Sequence, residues 1–438
     1  MKSLDRIPVS KIERAAKILQ TGAKVGVNYL KYYGDQVTGS REQAREQLDR
    51  NNASDIYDTL KQMKGSALKV AQMLSMEKNM LPIAYVEKFS LAQFQVPPLS
   101  APLVDKMFSA QLGKRPQEFF DTFNRQSTHA ASIGQVHEAS KNGRKLAVKI
   151  QYPGVAESIS SDLAMVKPLA LKLFNIKAEN SDRYFREVEG KLLEETDYRR
   201  EIHQSMEMAA QCVHLPNLRL PQYYPQWSSS KIITMDWMEG IHLAEFTKQN
   251  RSPESRALVS QTLWDFYMFQ IHGLHRVHAD PHPGNFLVDR NDGLIALDFG
   301  CMKDIPAEFY NPYFALSKPE NLDNPARFEE LMHELELLSD EDSQEDRVFF
   351  SDLFHELFTL FFTPFRYDYF DFGDAEFLNA LSDLGQKYAK SAELRNRSAD
   401  RGSRHFIYMN RTFFGLYSLM NDLSGGPVRV YNYQQYLN

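Results

Sequence analysis

Cysteine is scarce in this chain. Cys212 and Cys301 are the only two among 438 residues, too few for a disulfide framework or a zinc quartet, which points to a reducing compartment. Both are expected as buried hydrophobes, with Cys301 the nearer to a site. No run of about 18 apolar residues occurs, so no transmembrane helix is expected. The basic, helically patterned N-terminus lacks the apolar core of a signal peptide. Charged residues make up 25% and the net charge is −6, a mildly acidic balance without the basic stripe that nucleic acid requires. These absences leave a cytoplasmic chain, with peripheral membrane association still open. Repeats and low-complexity segments are missing. So are the P-loop G-x-x-x-x-G-K-[ST] and the three-glycine G-x-G-x-x-G.

What is present is concentrated in His278-Ala279-Asp280-Pro281-His282-Pro283-Gly284-Asn285 and in Asp298-Phe299-Gly300, which begins thirteen residues after Asn285. An Asp, an Asn five residues on and a second Asp opening a D-F-G turn form the set with which kinase-like folds handle a nucleotide. Asn285 and Asp298 are hard oxygen donors suited to Mg²⁺ on phosphates. Asp280 is placed to accept a proton from a hydroxyl or water. Asn285-Phe286-Leu287-Val288 and Gly293-Leu294-Ile295-Ala296-Leu297 read as paired strands around an Asp289–Gly293 turn, which brings the two metal-ligand candidates together. His278 fits the structural histidine of an H-x-D triplet. His275 and His282 lack the acids and spacing of a zinc site.

Upstream, Lys145-Leu146-Ala147-Val148-Lys149-Ile150 is a β-rich run ending in the A-V-K pattern that reaches nucleotide phosphates. It follows Ala130-Ala131-Ser132-Ile133-Gly134, a loop placed to fold over phosphates. Only Gly134 stands where three glycines are usual. Alanine does not take positive φ cheaply, so this loop is expected to be stiffer and to meet phosphates differently.

Together these stretches resemble the UbiB/AarF family of atypical kinases. Lys64-Gly65-Ser66-Ala67-Leu68-Lys69-Val70-Ala71-Gln72 is similar to the family's K-x-G-Q helix, with Ala71 in place of its glycine. Glu195-Thr196-Asp197 is similar to its E-x-D motif. The matches run in family order from about residue 55 to 305. The resemblance implies Lys69, Gln72 and Glu195 as further nucleotide-site residues, with Glu195 and Asp197 facing phosphate or metal. It also implies a glutamate partner for Lys149. The residues leave several acids open; the family offset selects Glu189, six residues before Glu195. It implies ATP and Mg²⁺ as cofactors, and ATPase or small-molecule kinase activity linked to isoprenoid or quinone lipids.

The fold class is α+β: a bilobal, protein-kinase-like fold with an N-terminal helical extension over 1–100, a small lobe over 101–240 and a mainly helical lobe over 241–438. Residues 1–31 hold seven Lys/Arg against two acids. They read as a helix face docked on the lobes, with Ser10 and Glu13 as a capping box; an arm on anionic lipid is the rival. A second helix over 55–81 carries Lys69 and Gln72. A helical insertion over 155–175 holds Asp162, and Asp236–Gly240, with Met238, forms the hinge that meets adenine. Phe349-Phe350 through Phe361-Phe362 spaces aromatics as a wide core face, with a lipid-binding surface as the alternative. Residues 301–330 contain no Ala-Pro-Glu, only the echo Ile305-Pro306-Ala307-Glu308, against a conventional protein kinase. A silent ATP-binding scaffold and a small-molecule phosphotransferase of the aminoglycoside or choline type remain as alternatives. The acceptor and the oligomeric state are not written in the sequence.

Overall fold

The computed structural model describes residues 11–35, 40–63, 67–69, 83–90, 98–130, 133–174, 182–391, 394 and 401–437. The chain divides into two compact units: Met1–Ile202 with Tyr223–Trp237, and His203–Gln222 with Met238–Asn438.

The first unit is built on an antiparallel sheet ordered β1 (Thr122–Phe123), β3 (Gly134–Lys141), β4 (Arg144–Gln151), β6 (Ile232–Asp236), with β2 (His129–Ala130) also on β3. Asn142 and Gly143 close the β3–β4 hairpin, both at positive φ (51° and 72°). Such a turn twists in the same sense as the strands it joins. In β4, Leu146, Ala147, Val148 and Ile150 are all buried, a nearly continuous run rather than an alternation, as in a strand covered on both faces.

Helices α1 (Lys11–Asp35) and α2 (Arg41–Met63) pack against each other. Val25 of α1 and Ile56 and Leu60 of α2 share one apolar cluster, and polar contacts also cross between the helices: Asn28 Nδ2 donates to Asn52 Oδ1 at 3.0 Å and to Asp55 Oδ2 at 2.9 Å. Helices α3 (Ile83–Ser90) and α4 (Ala101–Leu112) follow, and Gly113, at φ 74°, ends α4 in the left-handed conformation. Arg14 and Asp162, 3% and 0% exposed, join α1 to α5 (Val155–Phe174). Arg14 Nε lies 2.6 Å from Asp162 Oδ1, its Nη2 bonds Oδ2, and its Nη1 donates to Met63 O at 2.9 Å. The basic N-terminal helix is therefore docked, while Ile12, Leu19, Val27, Leu30 and Tyr33 face outward. Ser10 of the expected capping box lies outside the described residues. Of the helix expected over 55–81, the structure describes α2, which begins earlier, and a helical 67–69.

The second unit holds a four-stranded sheet ordered β5 (Leu218–Arg219), β10 (Leu294–Ala296), β9 (Phe286–Val288), β7 (Ile241–His242). Strand β5 joins β10 in parallel. Among the described residues this unit also pairs β8 (Arg276–His278) with β11 (Met302–Asp304), and β12 (Tyr369–Asp371) with β13 (Pro427–Arg429). The aromatic run is core, as its rhythm implies: Phe350, Phe354, Phe358, Phe361 and Phe362 are all buried in one cluster with Tyr313, Phe406, Phe413 and Tyr417. That burial removes these rings as a lipid-binding face.

Candidate active site

The candidate residues fall into two sets, one in each unit. In the first unit Lys149 lies on β4, and its Nζ is 2.7 Å from Glu201 Oε1, with side chains 15% and 4% exposed. The expected partner, Glu189, is thereby corrected to Glu201. The reason is a break in the helix. Helix α6 (Asp182–Thr196) stops, Asp197 stands between, and α7 (Tyr198–Gln211) begins anew. Glu201, six residues after Glu195 rather than six before, sits in the first turn of α7. Asp197 fixes that turn: its Oδ1 accepts from Arg200 N at 3.2 Å and its carbonyl from Glu201 N at 3.0 Å. The carboxylate expected to face phosphate or metal thus caps a helix, the position an Asp favours. Gln151 Nε2, donating to Thr196 O at 2.9 Å, ties the end of β4 to the same junction.

Lys69 Nζ is 3.0 Å from Glu195 Oε2, both largely buried. A lysine that spacing alone would send to solvent is turned inward. Ala130 is the last residue of β2, paired with Gln135; Ala131, Ser132 and Gln72 lie outside the described residues. Beneath β3, His137 Nδ1 donates to Asn124 O at 2.8 Å, which leaves Nε2 to accept from Gln135 Nε2 at 2.9 Å. Gln135 Oε1 accepts from Leu99 N at 2.7 Å. Burial lowers the His137 pKa, so this relay is held by a neutral imidazole. Gln135 and His137 of the alanine-rich motif are therefore structural.

In the second unit the hairpin read from sequence is present: Phe286 pairs Ala296 and Val288 pairs Leu294. Leu297 N donates to Asn285 O at 3.0 Å, so Asn285 and Asp298 leave adjacent strand ends. Asn285 Nδ2 donates to Asp280 O at 3.1 Å, so the amide oxygen, the atom a hard cation needs, is not the one engaged by Asp280. Asp298 Oδ1 accepts from Gly300 N at 2.9 Å. Among the described residues no group of three His, Cys, Asp or Glu could hold a metal. Two oxygens with phosphate and water completing the shell suit magnesium, which seldom has an all-protein cage.

The loop carrying Asp280 is held from three directions. The β8–β11 ladder sets His278 opposite Met302, Ala279 N donates to Cys301 O at 2.9 Å, and His278 N donates to Gln270 Oε1 at 2.9 Å. The His278 ring meets Phe299 edge-on at 5.8 Å, which is the structural role expected of that histidine. Gln270 comes from a feature the sequence did not show. Helix α8 (Pro253–Met268) does not run straight into the loop but widens into a π turn over Phe269–Gly273, with Leu274 N donating to Phe269 O at 3.0 Å. Such turns cluster at functional sites. Burial first, then neighbouring Asp280 and Cys301, pushes the Tyr267 hydroxyl pKa well up, so this ring is a neutral wall beside Asp280. Met238 is half-buried in the irregular 237–240 connection between β6 and β7.

A family model for the ABC1 atypical kinase-like domain matches residues 91–319. The chain belongs to this family. Its relatives carry the AarF and COQ8 names, which is the UbiB/AarF group. Mitochondrial atypical kinase COQ8 of Saccharomyces cerevisiae is 29% identical over 313 residues, 70% of this chain and 62% of that protein. A chloroplastic aarF domain-containing protein kinase of Arabidopsis thaliana is 28% identical over 296 residues, 66% of this chain and 42% of that one. Against the first-ranked curated relatives, this ABC1 chain spans about half the partner's length or less. The solved structure of Rv3197 with erythromycin, from Mycobacterium tuberculosis, aligns with TM-score 0.60 over 91% of this chain and 98% of that one, at 24% identity. That likeness is one of fold: kinase-like, α+β.

Proposed function

We propose that this ABC1-family chain binds ATP with magnesium and hydrolyses or transfers the γ-phosphoryl group. The observation that carries the reading is the 2.7 Å contact between the β4 lysine and a helix glutamate, the pair by which kinase folds aim an ammonium at phosphates. Lys149, oriented by Glu201, would hold the α- and β-phosphates. Asn285 and Asp298 would hold Mg²⁺, which when bound neutralises charge on the phosphate oxygens. Asp280, its loop fixed by Gln270, Cys301 and Asn285, would take the proton from the attacking hydroxyl or water. Lys69 with Glu195, Gln72, the Ala130–Ser132 loop and Met238 would complete the nucleotide contacts.

A small-molecule acceptor or water suits the chain better than a peptide. After Gly300 the backbone goes straight into β11, and a helix begins at Ala307. Only six residues, 301–306, separate Gly300 from that helix, and the short strand within them is already paired with β8, which leaves little length to receive a peptide strand. Coupling to an isoprenoid or quinone-type lipid follows from the family resemblance, and lipid-stimulated turnover is its test. The central experiment compares ATP turnover of wild type and Asp280→Asn. Turnover is expected to fall at least about a hundredfold, with nucleotide binding retained. Equal turnover in both proteins would remove Asp280 from the chemistry. Nucleotide-dependent stabilisation without any turnover would leave a binding scaffold.

A further inference from the structure

Gly134 is the one glycine in the alanine-rich loop, and its backbone does not need one. Its φ is not among the positive angles of the chain. What it needs is space. A Cβ at Gly134 would stand 2.8 Å from Tyr198 Oη and 2.8 Å from Ile150 O, closer than side chains tolerate. Tyr198 is wholly buried, and its ring lies under Lys149 with Nζ 5.0 Å from the ring centre. The same tyrosine opens α7 three residues before Glu201. Its neighbour Tyr152, also wholly buried, donates its backbone N–H to Ile133 O at 2.9 Å, which fastens the exit of the loop to the end of β4.

We propose that Tyr198 is a positioning residue for Lys149. Its ring face holds the ammonium opposite Glu201, while its hydroxyl end sets how closely the loop exit at Gly134 approaches. An aromatic face attracts a cation within about 6 Å, and more strongly when the pair is withdrawn from water. Glu201 supplies the charge that faces Lys149; Tyr198, three residues earlier on the same helix, supplies a neutral, rigid floor. This assignment rests on the nucleotide reading for its consequence, since Lys149 is the phosphate-holding group there. The cation–ring contact itself is independent of that reading.

The test separates the two. In the full-length, nucleotide-free protein, the pH dependence of Lys149 acylation by acetic anhydride, read by peptide mass spectrometry, gives the titration midpoint of the amine. Tyr198→Phe keeps the ring and is expected to keep the wild-type midpoint. Phenylalanines bearing one, two and three ring fluorines, placed at 198 by codon suppression, keep the shape but drain the negative face. The midpoint is then expected to fall stepwise, by about one pH unit at three fluorines. Magnesium–ADP affinity in the same series is expected to weaken about tenfold. A midpoint that does not move along the series overturns the assignment, since a purely structural ring would be indifferent to its electrons. A stepwise fall in a protein that binds no nucleotide would sustain Tyr198 and sink the function proposed above.

Discussion

Replacing Glu201 discriminates between the geometry seen here and the pairing that motif spacing implies. Glu201 is almost wholly buried and Lys149 nearly so, at 2.7 Å. Glu201→Ala leaves a largely buried ammonium without its counter-charge, which costs about 3 kcal/mol, the lower end for broken buried pairs because Lys149 keeps some contact with solvent. Glu201→Gln keeps an acceptor but replaces a charged hydrogen bond with a half-neutral one, a loss of about 1–1.5 kcal/mol. For a unit of this size each kcal/mol moves the melting temperature by roughly 2–4 °C. The alanine variant should therefore melt roughly 6–12 °C low and the glutamine variant roughly 2–6 °C low. Glu189→Gln, on the half-buried face of α6, should cost about 0.5 kcal/mol or less. Calorimetric titration with magnesium–ADP adds the functional arm: a misdirected lysine forfeits a charge-assisted contact, roughly 10- to 100-fold in affinity. Wild-type melting and binding in Glu201→Gln, with loss in Glu189→Gln, would refute the assignment.

Two further outcomes follow from the second unit. His272, buried on the π turn with Nδ1 2.6 Å from Tyr310 Oη, has its pKa pushed down to about 3 by burial and then by nearby His275. The unfolded chain takes up this proton below about 6.5 and the folded one does not, so stability falls as pH drops through that range. The loss from pH 7.5 to 5.5 should be about 1.4 kcal/mol. Urea unfolding at both pH values should show His272→Phe losing less than wild type by that amount, and equal slopes would show that the imidazole titrates normally. In α10 (Arg404–Leu423), a Cβ on Gly415 would overlap the Pro281 ring beside Asp280. Gly415→Ala should therefore lower kcat about tenfold or more with little change in nucleotide affinity. Unchanged turnover would mean that the helix does not set the loop.

The hairpin bearing Asn285 and Asp298 was legible because each of its parts is a local signal: short apolar strands, and a turn of Asp, Asn and Gly. Its geometry follows from chain neighbours, so the sequence was enough. The β4 lysine was legible for the same reason. The Phe-rich helix α9 (Gln344–Phe361) was readable from its period alone, since a wide apolar face has to be buried. The partner of Lys149 was not readable. No proline or glycine marks the break between α6 and α7; Asp197 does, by accepting the N–H groups of the helix that follows. Had Asp197 been read as a cap, Glu201 would have been placed in a first turn and weighed beside Glu189. The π turn left no sequence signal either, because one residue of extra girth does not disturb an apolar run that is buried all round. Gln270 and His272, both buried within that turn, were its polar hints.

Gly134 shows where sequence reading stops in principle. Taken alone, a single glycine in a loop expected to cover phosphates looks like the remnant of a glycine-rich motif, retained for conformational freedom. The structure assigns it a different cause, because its dihedrals are open to any residue while the space beside it is taken by the tip of Tyr198 and by the carbonyl of Ile150. Conformational need is local and can be inferred from chain neighbours. Steric need is set by residues sixteen or more positions away, which only the fold brings alongside. Replacing Gly134 by alanine would therefore displace Tyr198 and with it the floor under Lys149.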